Sequence, residues 1–139
     1  MIKDRSKGNT LMKVALVSIP VQDPVKAYEI YTSKLGFMSK EFDPEASLTI
    51  VVSADDKDGT AILLEPCLGS FAENYQKSAF DANLPIMALG GKHVKSELER
   101  MKVVGIKLRP ELDQPKWGIE IFFEDGCGNL LMIEETSAQ

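Results

Sequence analysis

The sequence predicts an α+β fold: two tandem β-α-β-β-β modules forming a curved, cup-shaped mixed sheet with helices on its outer face. An internal repeat is the first observation behind this. The segment Val25–Phe37 (VKAYEIYTSKLGF) matches Val94–Ile106 (VKSELERMKVVGI) at an offset of 69, with Val, Lys and Gly coincident. The same offset lays Gly59–Glu65 (GTAILLE) on Gly128–Glu134 (GNLLMIE). One offset that works at two distant places marks a duplicated supersecondary unit. The order of local signals in each half is the last observation: an apolar run, a helix start, a glycine stop, then short strand-like runs. A single domain is expected over residues 12–136, made of repeats 12–66 and 83–136. Residues 1–11 read as a polar leader, with Met12 as an alternative start.

Val14–Val21 is apolar and rich in β-branched residues, so it reads as a strand. Asp23 is a good N-cap, and Pro24 stands at the first helical position, where its missing N–H costs nothing. The helix is expected to run through Tyr28, Tyr31 and Leu35 and to stop at Gly36. Strands are expected at Phe37–Phe42, Ser47–Ser53 and Ala61–Glu65, with Asp55–Gly59 as a turn. A polar stretch, Phe71–Asn83, joins the halves. The second half repeats the plan: strand Ile86–Leu89, helix Val94–Lys102 stopping at Gly105, then strands near Ile106–Arg109, Ile119–Phe123 and Leu130–Glu134. Asp125–Asn129 is the last turn.

Composition narrows the function. The 139 residues carry 16 Lys+Arg against 21 Asp+Glu, a net charge of −5, which argues against a nucleic-acid or anionic-membrane partner. The longest apolar runs are far short of the roughly 20 residues that span a bilayer. The single histidine, His93, excludes a metal site built from two or three imidazoles of one chain, and it reads as an exposed residue at the entrance of the second helix. Cys67 and Cys127 stand alone, 60 residues apart, and read as reduced thiols of a cytoplasmic protein. Phosphate loops, GxSxG and HExxH are absent from the sequence.

Several segments together resemble the vicinal-oxygen-chelate superfamily of glyoxalase I, extradiol dioxygenases and bleomycin resistance proteins. They are Val21–Tyr31 (VQDPVKAYEIY), Lys34–Phe37 (KLGF), Gly59–Pro66 (GTAILLEP), the second helix ending at Gly105, and Phe123–Leu131 (FEDGCGNLL). Metal-using members place ligands on the first and fourth strands of each module. The resemblance puts those positions at Leu16, Leu63, Ile86 and Met132, none of which suits a hard or borderline divalent cation. No metal and no cofactor are therefore expected. The resemblance also implies a homodimer in which the partner completes each cup.

From the positions that the resemblance implies, strand alternation lets the cup face be read. It holds Leu16 and Ser18, then Leu63 and Glu65, with Ile86, Met132 and Glu134 as second-half counterparts. Trp117, Glu120 and Phe122 are expected to line the same cavity. An apolar, aromatic-edged cup with a few carboxylates suits an aromatic or cationic small molecule. The function expected is metal-independent small-molecule binding of the glyoxalase/bleomycin resistance type. The alternative is a glyoxalase-like lyase, isomerase or dioxygenase with a displaced or metal-free site.

Overall fold

In a computed structural model, which describes residue 8 and residues 10–114 and 119–136, the chain folds as two four-stranded mixed sheets with helices packed on them. In the first module β1 (Leu16–Val21) leads into α1 (Pro24–Glu29). Asp23 caps this helix, its carboxylate accepting from the amides of Val25 and Lys26 at 3.1 and 3.3 Å. Such a cap stabilises by about 1 kcal/mol. The expected single helix then changes character, because Ile30–Lys34 forms a π-helical segment closed by a bond from the Leu35 amide to the Ile30 carbonyl. Gly36, at φ +84°, ends it in the left-handed region. β2 (Met38–Asp43), β3 (Leu48–Val52) and β4 (Ala61–Pro66) complete the sheet in the order β1-β4-β3-β2. β1 and β4 run parallel, with Val17 opposite Ile62 and Ser18 opposite Leu63.

The second module repeats this topology as β5-β8-β7-β6. Its elements are β5 (Met87–Gly91), α3 (Val94–Val103), β6 (Lys107–Leu108), β7 (Ile119–Glu124) and β8 (Leu130–Glu135). The first strand lies one residue later than Ile86–Leu89, because the offset differs along the module. Parallel pairing sets Met87 opposite Leu131, so β5 is offset by 70 from β1 while β8 is offset by 69 from β4. The strand-to-helix connections are equally long, Gln22–Asp23 and Lys92–His93, and the missing residue falls in the helical segment, 24–34 in the first module and 94–103 in the second. His93 occupies the cap position without a side-chain bond to the helix. Within the polar joining stretch, Ala72–Asp81 forms a helix, α2.

One hydrophobic core serves both modules. Ile19, Val21, Ala27, Tyr31, Val51, Ile62 and Leu64 of the first pack in one cluster with Val94, Met101, Ile121, Phe123, Leu131 and Ile133 of the second. All the strand residues in that set share one face of each sheet, the face that α1 and α3 cover. Burial of a large side chain such as Leu64 or Phe123 stabilises by roughly 1.5–3 kcal/mol. No helix among the described residues is long and apolar enough to cross a membrane.

Candidate functional site

The opposite face of each sheet carries no helix-packed core cluster, and strand pairing sets what it presents. In the first module Ser18, Leu63 and Ile50 form one cross-strand row, with Leu16 beside Ala61 and Pro20 beside Glu65 on either side. In the second, Ala88, Met132 and Phe122 form the matching row, and Gly90 stands beside Glu134. Leu16 is 47% exposed, Ser18 is exposed, and Leu63, Ile86 and Met132 are half-buried. Phe122 is buried. Glu65 and Glu134 are exposed at the ends of their strands. Glu120 falls at a register irregularity of β7, between Ile119 and Ile121, so it has no place in the alternating rows. Trp117 lies outside the described residues.

The four positions that the family resemblance assigns to metal ligands, Leu16, Leu63, Ile86 and Met132, offer three aliphatic side chains and a thioether. They do not fit a divalent cation that wants oxygen or nitrogen donors. Among the described residues, no three of His, Cys, Asp and Glu lie close enough together to hold a metal ion.

A charged cluster borders the second open face, and the sequence reading did not single it out. The Arg109 amide bonds to the Phe122 carbonyl, which continues the β6–β7 ladder past the two-residue β6. The Arg109 guanidinium donates to Glu124 at 3.2 Å, to Asn83 Oδ1 at 3.0 Å and to Glu111. The hydrogen bond from Arg109 holds the Glu111 carboxyl below its ordinary range. Lys107 adds a second cation 3.4 Å from Glu124. Two strand-borne cations thus face two carboxylates along this edge.

A second polar cluster is buried where the modules meet. Asp125, 1% exposed, accepts from the Tyr31 hydroxyl at 2.7 Å and from the amides of Cys127 and Asn129 at 2.7 and 3.1 Å. It also accepts from Asn129 Nδ2 at 2.9 Å. Asn129 Nδ2 donates as well to the Pro20 carbonyl of β1, at 2.7 Å. Gln76 of α2 places Nε2 against Pro20 O, Cys127 O and Asn129 Oδ1 at 2.9, 3.1 and 3.1 Å. Burial pushes the Tyr31 hydroxyl well above its ordinary pKa, and the Asp125 charge adds to this. Burial pushes the Cys127 thiol up to about 12, and burial also raises the Cys67 thiol. Both cysteines are buried and free, and thiols held protonated in this way are poor nucleophiles. The sequence signal for this cluster was the polar turn Asp125–Asn129 itself, which pattern reading took only as a chain reversal.

Comparison with known proteins agrees with this architecture. A 40% identical relative is YurT of Bacillus subtilis (strain 168), aligned over 88% of this chain and 98% of its own. Among solved structures, TnmS3, an antibiotic binding protein from Streptomyces sp. CB03234, superposes with a TM-score of 0.69 at 21% identity, covering 91% of this chain and 98% of that one. UcmS2 superposes with a TM-score of 0.72 at 17% identity, covering 91% and 100%. The family model for the Glyoxalase/Bleomycin resistance protein/Dioxygenase superfamily matches residues 13–133, and the chain belongs to that superfamily.

Proposed function

We propose that the protein binds a small molecule on the open faces of its two sheets, without a metal, as a cytoplasmic homodimer. The observation that carries this reading is the make-up of the two matching rows, Ser18–Leu63–Ile50 and Ala88–Met132–Phe122. They form an apolar floor with one exposed carboxylate beyond each, Glu65 and Glu134. Apolar contact with a few fixed charges is how small-molecule sites combine affinity with orientation, and the sign of these charges favours an aromatic or cationic ligand. The antibiotic-binding role given for TnmS3, which shares the fold, supports small-molecule binding. A second copy over the exposed Leu16 and Leu48 would remove apolar surface from water and enclose the ligand.

The test is a titration of the full chain with cationic and aromatic compounds, ethidium and berberine among them, read by emission of its one tryptophan and by calorimetry. Saturable binding weakened about tenfold or more by Leu63→Asp or Met132→Asp supports the reading, since a buried charge opposes an apolar contact. Silence across the panel overturns it. Stoichiometric Ni, Zn, Fe or Mn in the purified protein overturns the metal-free part. A monomer by sedimentation overturns the dimer.

A further inference from the structure

Away from the open faces, the structure holds a cleft of about 410 Å³ between α2, the end of β1 and the closing turn of the second module. We propose that it is a second small-molecule site, which takes a small organic cation: an aromatic or branched aliphatic body bearing one ammonium or amidinium group. The volume falls in the roughly 300–1,000 Å³ range of small-molecule sites. Leu68 and Phe80 give the cleft its apolar walls, and Leu68 is left 61% exposed at its lip. Glu73, Lys77 and Asp81 recur every four residues along α2, so one face of the helix supplies all three charged groups. Lys77 is engaged by Asp81 at 2.9 Å, which leaves one net negative charge, on Glu73.

Two acceptors are placed to receive a cation. Glu73 uses Oε2 on the Gly69 amide at 3.0 Å, leaving Oε1 for a ligand N–H. Gln76 lies on the floor, 4% exposed. The two hydrogens of its Nε2 are shared among three acceptors, while among the described residues its Oε1 receives the Cys67 thiol, at 3.4 Å. A thiol is a weak donor, so this buried carbonyl oxygen keeps most of its accepting capacity. The three Nε2 bonds also fix its orientation, so binding a ligand N–H costs little reorganisation. α2 stands between the repeats, and the cleft therefore occurs once per chain. None of the open-face residues lines it, so the two sites stand or fall separately.

The experiment is a titration of the ¹⁵N-labelled full chain with benzamidine, followed by amide correlation spectra, with benzoate as a control of the same shape and opposite charge. The expected result is saturable shifts at the Gly69 and Gly128 amides and at the Gln76 side-chain amide, and no saturation with benzoate. Glu73→Gln keeps an acceptor for the Gly69 amide, and a melting curve like that of the parent verifies its fold. It should weaken benzamidine about tenfold through loss of one charge-assisted contact. Phe80→Ala should weaken it comparably through loss of the apolar wall. The proposal is overturned if roughly 20 mM benzamidine, far above a millimolar Kd, gives no saturable shift. Shifts confined to Ser18, Leu63 and Met132, equal binding of benzoate, or an unchanged Glu73→Gln variant overturn it too.

Discussion

The buried pair of Tyr31 and Asp125 allows a prediction whose sign changes with background. Replacing Asp125 by Ala removes the acceptor of the Tyr31 hydroxyl and of the Cys127 and Asn129 amides. Asn129 Nδ2 keeps the Pro20 carbonyl. Three buried donors are orphaned at about 1–3 kcal/mol each, so Asp125→Ala should cost about 4 kcal/mol or more, a large part of the roughly 5–15 kcal/mol that holds a domain folded. Tyr31→Phe alone should cost about 1.5–3 kcal/mol, the value of one hydrogen bond to a charged group. In the Asp125→Ala background the same change removes an orphan and should be neutral or stabilising. The double-mutant cycle then gives a coupling of about 2 kcal/mol or more. Urea denaturation followed by far-UV circular dichroism measures each corner. If Asp125→Ala is unfolded, Asp125→Asn keeps Oδ1 for both amides, and in that background Tyr31→Phe should cost under about 1 kcal/mol. Costs that add within about 0.5 kcal/mol in both backgrounds would refute the argument.

Other consequences follow from the same contacts. His93 caps α3 with no side-chain bond, so His93→Asp should stabilise by about 1 kcal/mol, seen as a higher melting temperature. No rise would mean that the backbone at His93 keeps the carboxylate from the helix amides. A Cβ on Gly128 would meet the Gln76 amide at 2.7 Å at φ +101°, whereas one on Gly36 would meet nothing within 4 Å. Gly128→Ala should therefore cost about 2 kcal/mol more than Gly36→Ala in the same denaturation assay, and equal losses would discount the contact. Tyr31 and Cys127 both have folded-state pKa values raised above their unfolded ones, so each contribution is complete below the group's unfolded pKa and declines above it, the Cys127 part being lost as pH rises toward about 12. Stability should fall by up to about 1.4 kcal/mol per pH unit for each group, above about pH 9 for Cys127 and above about pH 10 for Tyr31, and the Cys127 part should vanish in Cys127→Ala. A flat stability from pH 9 to 11 would contradict this.

Strands, helix starts and helix stops were legible because each rests on a local rule. Asp23 and Pro24 begin α1, Gly36 and Gly105 end their modules' helical segments, and period-2 alternation sorts β1 and β4 into two faces. α2 was not legible, because Gln76 is its one buried residue and a polar side chain leaves no apolar stripe to detect. The one-residue difference between the β5 and β8 offsets was hidden because the sequence similarity runs through the helices, where the extra residue of the first module's helical segment goes unmarked. The open-face positions Leu16, Ser18, Leu63 and Met132 follow from alternation once the family resemblance has marked which face is the cup. Glu120 does not, since the irregularity of β7 interrupts the period at that residue. Arg109 falls within an expected strand, but its role depends on the Glu124, Glu111 and Asn83 side chains that the tertiary fold brings to it.

Duplication gives two modules the same starting chemistry, so the places where they differ show which contacts the joined molecule needed. Tyr31 and Arg100 are repeat partners at the offset of 69. Tyr31 reaches from the first module to Asp125 in the second, while Arg100 reaches back to the carbonyls of Lys34 and Leu35 at the end of the π segment. Asp125 and Asn129 are likewise partners of Asp56 and Thr60. The second-module pair is buried in the junction, whereas Asp56 is exposed and Thr60 bonds to the Val14 carbonyl of its own module. Equivalent positions thus hold the halves together from both directions with different groups, a buried hydroxyl–carboxylate bond one way and a guanidinium cap the other. Hydrophobic packing alone is non-directional and would tolerate sliding, whereas these bonds fix angle and distance. The rows Ser18–Leu63 and Ala88–Met132 are carried on strands of the two modules that this junction holds in register with each other.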